Sequence, residues 1–119
     1  MLEGGGDTGI DWGRVTELRD EVGVENFDEV IALFLEEADD AIRQIQAETD
    51  PKLLESQLHF LKGAALNLGF SDLAALCQTQ ERQAAMSQIP HQLDKIEGVY
   101  AASRCAFLKH LPAKGYALS

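Results

Sequence analysis

Apolar residues recur every three or four positions along most of the chain, which is the period of amphipathic helices. Trp12, Val15, Leu18 and Val22 make a first, short stripe, and Gly23 supplies a stop. Phe27, Ile31, Phe34, Ala38, Ala41 and Ile45 make a long second stripe, with Glu36, Glu37, Asp39 and Asp40 largely outside it. Asp50-Pro51 reads as an N-cap followed by proline at the first helical position. A third helix is expected from there to about Leu68, where Gly69 takes the left-handed turn. Ser71 is expected to cap a fourth helix carrying Leu73, Leu76, Cys77 and Ala84. Pro90 opens a fifth, striped by Leu93, Ile96, Tyr100, Ser103, Phe107 and Leu111, and Pro112 ends it. No strand alternation and no internal repeat interrupts this order. The pattern predicts an all-α antiparallel four-helix bundle spanning residues 11–111, with the short first helix capping one end. Residues 1–10, glycine-rich and aperiodic, read as a disordered leader, and 112–119 as a frayed tail.

Composition narrows the function classes. At 119 residues, with 45% hydrophobic and 25% charged side chains, the chain suits one globular domain. No apolar run approaches the ~20 residues of a membrane span. The cysteines, Cys77 and Cys105, both fall within apolar helical patterns, which excludes a disulfide framework and points to a reducing cytoplasm. A net charge of -10 counts against nucleic acid and against an anionic membrane surface. The charge is uneven: residues 1–50 hold 15 acids against 3 arginines, residues 51–119 only 5 acids against 7 lysines and arginines. A surface for an acidic partner would sit more comfortably in the second half.

Candidate chemistry lies on the third helix. At about 100° per residue, Leu54, Leu58, Leu61, Ala65 and Leu68 share one side, and His59 projects almost opposite. A core-filling histidine would lie on the leucine stripe; this one faces solvent, with Glu55 and Ser56 one turn before it and Lys62 and Gly63 one turn after. A glycine inside a helix costs about 1 kcal/mol relative to alanine. Gly63 lies within about 40° of the His59 direction, off the core stripe, so its missing side chain opens room for a partner to approach. Lys62 is either an ordinary solvated charge or an ammonium that offsets a phosphoryl group on His59. Phe60 and Leu66 flank the same outer surface as a small apolar docking patch. Together these residues favour a surface phosphoacceptor over an inert helix.

With the hairpin turn near Phe70, His59 lies eleven residues before it and Glu81 eleven after. In an antiparallel pair both sit about 16 Å from the turn. Glu81 is then placed to accept from Nδ1–H and leave Nε2 with its lone pair, the nucleophile. A solvent-exposed Glu81 paired with Arg82 is the alternative, and Gln78 or Gln80 would substitute if the register slipped by a residue.

The run His59-Phe-Leu-Lys62-Gly63-Ala-Ala-Leu-Asn67-Leu-Gly69-Phe70 resembles the signature of histidine-containing phosphotransfer (HPt) domains: His-x-x-Lys-Gly with a glycine ten residues after the histidine. The resemblance covers roughly residues 26–110. The Gly-Phe-Ser-x-Leu run and a glutamate 22 residues after the histidine also resemble the phosphoacceptor domain of chemotaxis-type kinases. The resemblance implies that His59 is phosphorylated, that Lys62 is the phosphate-side cation, Gly63 the access gap and Glu81 the orienting base. Asn67 falls where the family varies and would line the patch, and Phe60 is bulkier than the family's usual residue there. The implied partners are a histidine kinase or hybrid kinase and a response-regulator receiver domain whose aspartate takes the phosphoryl group. Mg²⁺ is expected on that receiver, and this chain needs no cofactor of its own. No ATP-binding, dimerisation or receiver segment fits in this sequence, so a monomeric phosphocarrier is expected, not an enzyme.

Rival readings are weaker on residues. His59, His91 and His110 are far apart and no helix carries a bundle metal-ligand set, while Glu36, Glu37 and Asp40 suit a solvated face better than a cation site. A kinase dimerisation pair would place an acid after the histidine and a proline later, where this chain has Phe60 and no proline from His59 to Leu68. A bundle that binds a receiver domain without phosphorylation would need neither His59, Lys62 nor Gly63.

Overall fold

The computed structural model describes residues 9–88 and 93–111. Among these the chain is all-α: α1 (Trp12–Val22), α2 (Val24–Ala47), α3 (Pro51–Leu68), α4 (Ser71–Ala85) and α5 (Asp94–His110). Helices α2–α5 form the bundle, with α3 at its centre against α4 and α2, and α1 lying across α2 and α3. Leu54, Leu58, Leu61, Ala65 and Leu68 are all buried, as the α3 stripe predicts. They meet Phe27, Ile31 and Ile45 of α2, Leu73 and Cys77 of α4, and Ile96 and Phe107 of α5 in one core. The Asp50 carboxylate accepts from the Lys52 N–H and Pro51 occupies the first turn, so α3 starts where its sequence says.

The α3–α4 turn fixes the hairpin register. Gly69 adopts φ 77° and ψ 17°, and a Cβ there would stand 2.6 Å from the Asp11 carbonyl oxygen. Only glycine meets both demands. The Asp11 N–H donates to the Gly69 carbonyl at 2.6 Å, and Ile10 forms an isolated β-bridge with Phe70. Trp12 stacks on Phe107 with ring centroids 5.7 Å apart, and Phe107 meets Phe70 edge-on at 5.4 Å. The short first helix is thus tied to the hairpin end of the bundle and to α5.

Several expectations are corrected. On α2 the buried positions are Phe27, Ile31, Leu35, Ala38, Ala41, Ile42 and Ile45, so the expected stripe holds except at Phe34, which is only half-buried. Leu35, about 100° around the helix from Phe34, takes the buried place instead. On α4 Leu76 is half-buried while Ala74 and Gln80 are buried; Leu93, expected within the fifth helix, is half-buried and immediately precedes α5. Ser71 does not cap α4. It is the first helical residue, and its N–H donates to the Gly9 carbonyl at 2.7 Å, so a backbone oxygen from the preceding segment satisfies the helix end. Cys105 is exposed, not part of the apolar face. Residues 1–8 of the expected leader, Pro90, His91 and residues 112–119 lie outside the described residues.

Candidate functional site

Helix α3 presents His59 outward with 69% of its side chain exposed. The antiparallel α4 brings Glu81 to the same level, and its Oε2 lies 2.9 Å from His59 Nδ1. Burial by itself pushes the Glu81 carboxyl up. Hydrogen bonds from Lys62 and His59, with the charges of both, outweigh that and hold it below the usual carboxylate range. An ionised carboxylate accepts and never donates, so Nδ1 carries the proton in this contact. In the neutral ring that arrangement leaves the lone pair on Nε2.

Lys62 leaves the His59 direction and turns toward α4. Its ammonium lies 2.8 Å from Glu81 Oε1 and donates to Gln78 Oε1 at 2.8 Å, with 19% of the side chain exposed. Glu81 therefore bridges the histidine and the lysine, one oxygen to each. Cys77 lies buried beneath this trio. Burial pushes its thiol up to about 12, with Glu81 adding to the shift and Lys62 opposing it. It stays a thiol at neutral pH and offers no competing nucleophile.

On the other side of His59 the surface is open. A Cβ at Gly63 would meet nothing within 4 Å, so close helix packing does not explain this glycine. His59, Phe60, Gly63 and Asn67 line a shallow depression of about 310 Å³ whose far wall is Phe34 and Glu37 of α2. Phe60 is 53% exposed. It also borders a neighbouring depression of about 290 Å³ with Ser56, Glu37 and Asp40. Asn67 Oδ1 accepts from the Arg14 guanidinium of α1 at 3.1 Å, and Arg14 also reaches Glu17 and Glu21. Leu66 is exposed and Glu55 half-buried on the same helix, and neither lines these depressions.

Three contributors escape the sequence pattern. Phe34 reads as core, Glu37 as a solvated acid, and Gln78 only as a substitute for Glu81. The available signal for Gln78 is its place one turn before Glu81 on the same face of α4. His110 is half-buried in the last turn of α5. Among the described residues no three His, Cys, Asp or Glu side chains come together as metal ligands, and no helix is long and apolar enough to cross a membrane.

Searches of the curated proteins and of the solved structures returned no match. The family model of the Hpt domain matches residues 29–111, a span that takes in α3, α4 and α5 and most of α2. With its outward histidine on a helical hairpin and more than half its length matched, the chain belongs to the Hpt-domain family, the histidine phosphocarriers of phosphorelays.

Proposed function

We propose that His59 is the phosphoacceptor and that Nε2 is its nucleophile. The observation that carries this reading is the Nδ1–Glu81 hydrogen bond at 2.9 Å on an otherwise exposed ring. That contact selects the tautomer with a free lone pair on the solvent side, where a donor can arrive. The Nε2 lone pair attacks phosphorus, a P–N bond forms, and the bond from phosphorus to the donor's leaving oxygen or nitrogen breaks. The proton stays on Nδ1, and the ionised Glu81 offsets the positive charge that develops on the ring. In the onward step the P–N bond breaks as an aspartate oxygen of a receiver domain takes the phosphoryl group. Mg²⁺ on that receiver supplies the charge neutralisation the small site here lacks.

Gly63 and the depression beside it leave room for the partner's backbone, and Phe60, Ser56, Asn67, Leu66 and Glu55 form the surrounding docking surface. The partners in this reading are a receiver domain and a histidine kinase or hybrid kinase. A glutamate 22 residues after the histidine, in contact with it, supports a likeness to the phosphoacceptor domains of chemotaxis-type kinases.

The test is direct phosphorylation. Wild type and His59→Gln are treated with phosphoramidate or a phosphorylated receiver domain with Mg²⁺, and intact mass is read. The expected result is one acid-labile adduct on the wild type alone. Equal labelling of both moves the site off His59. No labelling of either, with folding confirmed by circular dichroism, makes the chain a binding module.

A further inference from the structure

The His59–Glu81 contact depends on a carboxylate that should by rights be mobile. Glu81 and Lys62 are both long side chains, and ordering such chains costs on the order of 1–2 kcal/mol each. A lysine–glutamate pair near the surface, here with 19% of each side chain exposed, returns on the order of 1 kcal/mol. The pair alone would therefore not hold the Glu81 carboxylate in one orientation. What distinguishes this site is that the Lys62 ammonium has two acceptors: Glu81 Oε1 at 2.8 Å and Gln78 Oε1 at 2.8 Å. Gln78 and Glu81 stand three residues apart on α4, so one helix face presents both oxygens at a fixed spacing. Lys62 is seated between them, and the seated ammonium holds Glu81 Oε1 while Oε2 faces Nδ1.

We propose that Gln78 is a positioning residue for His59, acting through Lys62 and Glu81 to fix the ring in its Nδ1–H tautomer. The inference rests on the reading of His59 as phosphoacceptor and adds a part to it. In the unphosphorylated chain Lys62 serves as a brace on Glu81, on the Nδ1 side of the ring.

The experiment compares full-length wild type, Gln78→Met, Gln78→Glu, Lys62→Met and the double variant, each labelled with ¹⁵N-histidine. Long-range ¹H–¹⁵N spectra read the His59 tautomer, and intact mass reads the rate of labelling by phosphoramidate. Methionine keeps the length of Gln78 without its oxygen; glutamate keeps the acceptor. The expected result is a loss of Nδ1–H preference and about fivefold slower labelling in Gln78→Met, the scale of losing one surface hydrogen bond to a charge. Gln78→Glu should restore both, and Gln78→Met should have no further effect in the Lys62→Met background, because Gln78 acts only through that ammonium. An unchanged tautomer and rate in Gln78→Met overturns the proposal. So does equal slowing in Gln78→Met and Gln78→Glu with a lowered thermal midpoint, which marks a structural role. If wild type takes no phosphoryl group, the reading of His59 falls, and the tautomer spectra still decide whether Gln78 positions the ring.

Discussion

The carboxylate of Glu81 links the chemistry of the site to its stability. Its two oxygens each take a donor from α3, and together those donors hold it below the usual carboxylate range against the opposing effect of burial. A carboxyl depressed on folding contributes stability that is complete above its unfolded value, about 4.3 for glutamate. That contribution is lost as pH falls through the lower folded value. Glu81→Gln is therefore expected to lower the thermal midpoint near neutral pH, by the equivalent of about 1 kcal/mol for a half-buried pair. The gap between the two proteins should close as pH is taken from about 6 to about 3. A gap that stayed constant over this range would show that the charge on Glu81 contributes nothing to the fold. The position of Glu81 along α4 is legible from residue counting about the turn. The turning of Lys62 toward α4 is not, because a lysine has four rotatable bonds and its direction is chosen by the acceptors it finds.

At the scale of the helix, α3 carries a local defect. Gly63 sits in mid-helix with open space where a side chain would stand, and so does Gly98 of α5. Alanine at either position should stabilise the chain by about 0.5–1 kcal/mol, since each helix is already formed and nothing obstructs a methyl group. The two differ in function. Gly63→Ala is expected to slow phosphoryl exchange with a receiver domain while small phosphoramidate still labels the protein; Gly98→Ala should change neither. Urea midpoints and paired labelling rates check this, and equal rates for the two variants would remove the access role from Gly63. Helical periodicity made most of this scale readable in advance. The α3 stripe and the Asp50-Pro51 start depend only on neighbouring residues. The errors fall where a neighbour in space decides: Phe34 gives way to Leu35 in the core, and Ser71 yields the capping of α4 to the Gly9 carbonyl.

Across the whole molecule, the site belongs to the α3–α4 hairpin, while α1 closes the turn end of that hairpin through Trp12 against Phe107 and Asp11 against Gly69. Trp12→Ala should cost about 1–3 kcal/mol, less than a fully buried tryptophan because the ring is half-exposed. The His59–Glu81 register is set by the turn and by α3–α4 packing, so the variant should label with phosphoramidate at the wild-type rate while its urea midpoint falls. A matching loss of labelling in the folded variant would show that α1 supports the site as well as the bundle.

The amino-acid sequence by itself determined five helical segments, the buried stripe of α3, and a histidine, a lysine and a glycine on or near its outer face. These follow from periodicity, capping and turn chemistry, which act within a few residues. Only the tertiary structure decided that one carboxylate spans His59 and Lys62, that Gln78 shares the lysine, and that Phe34 and Glu37 wall the open side. Those contacts join residues on different helices. They depend on interhelical distance and side-chain rotamer, quantities that packing sets and that no local pattern along the chain encodes.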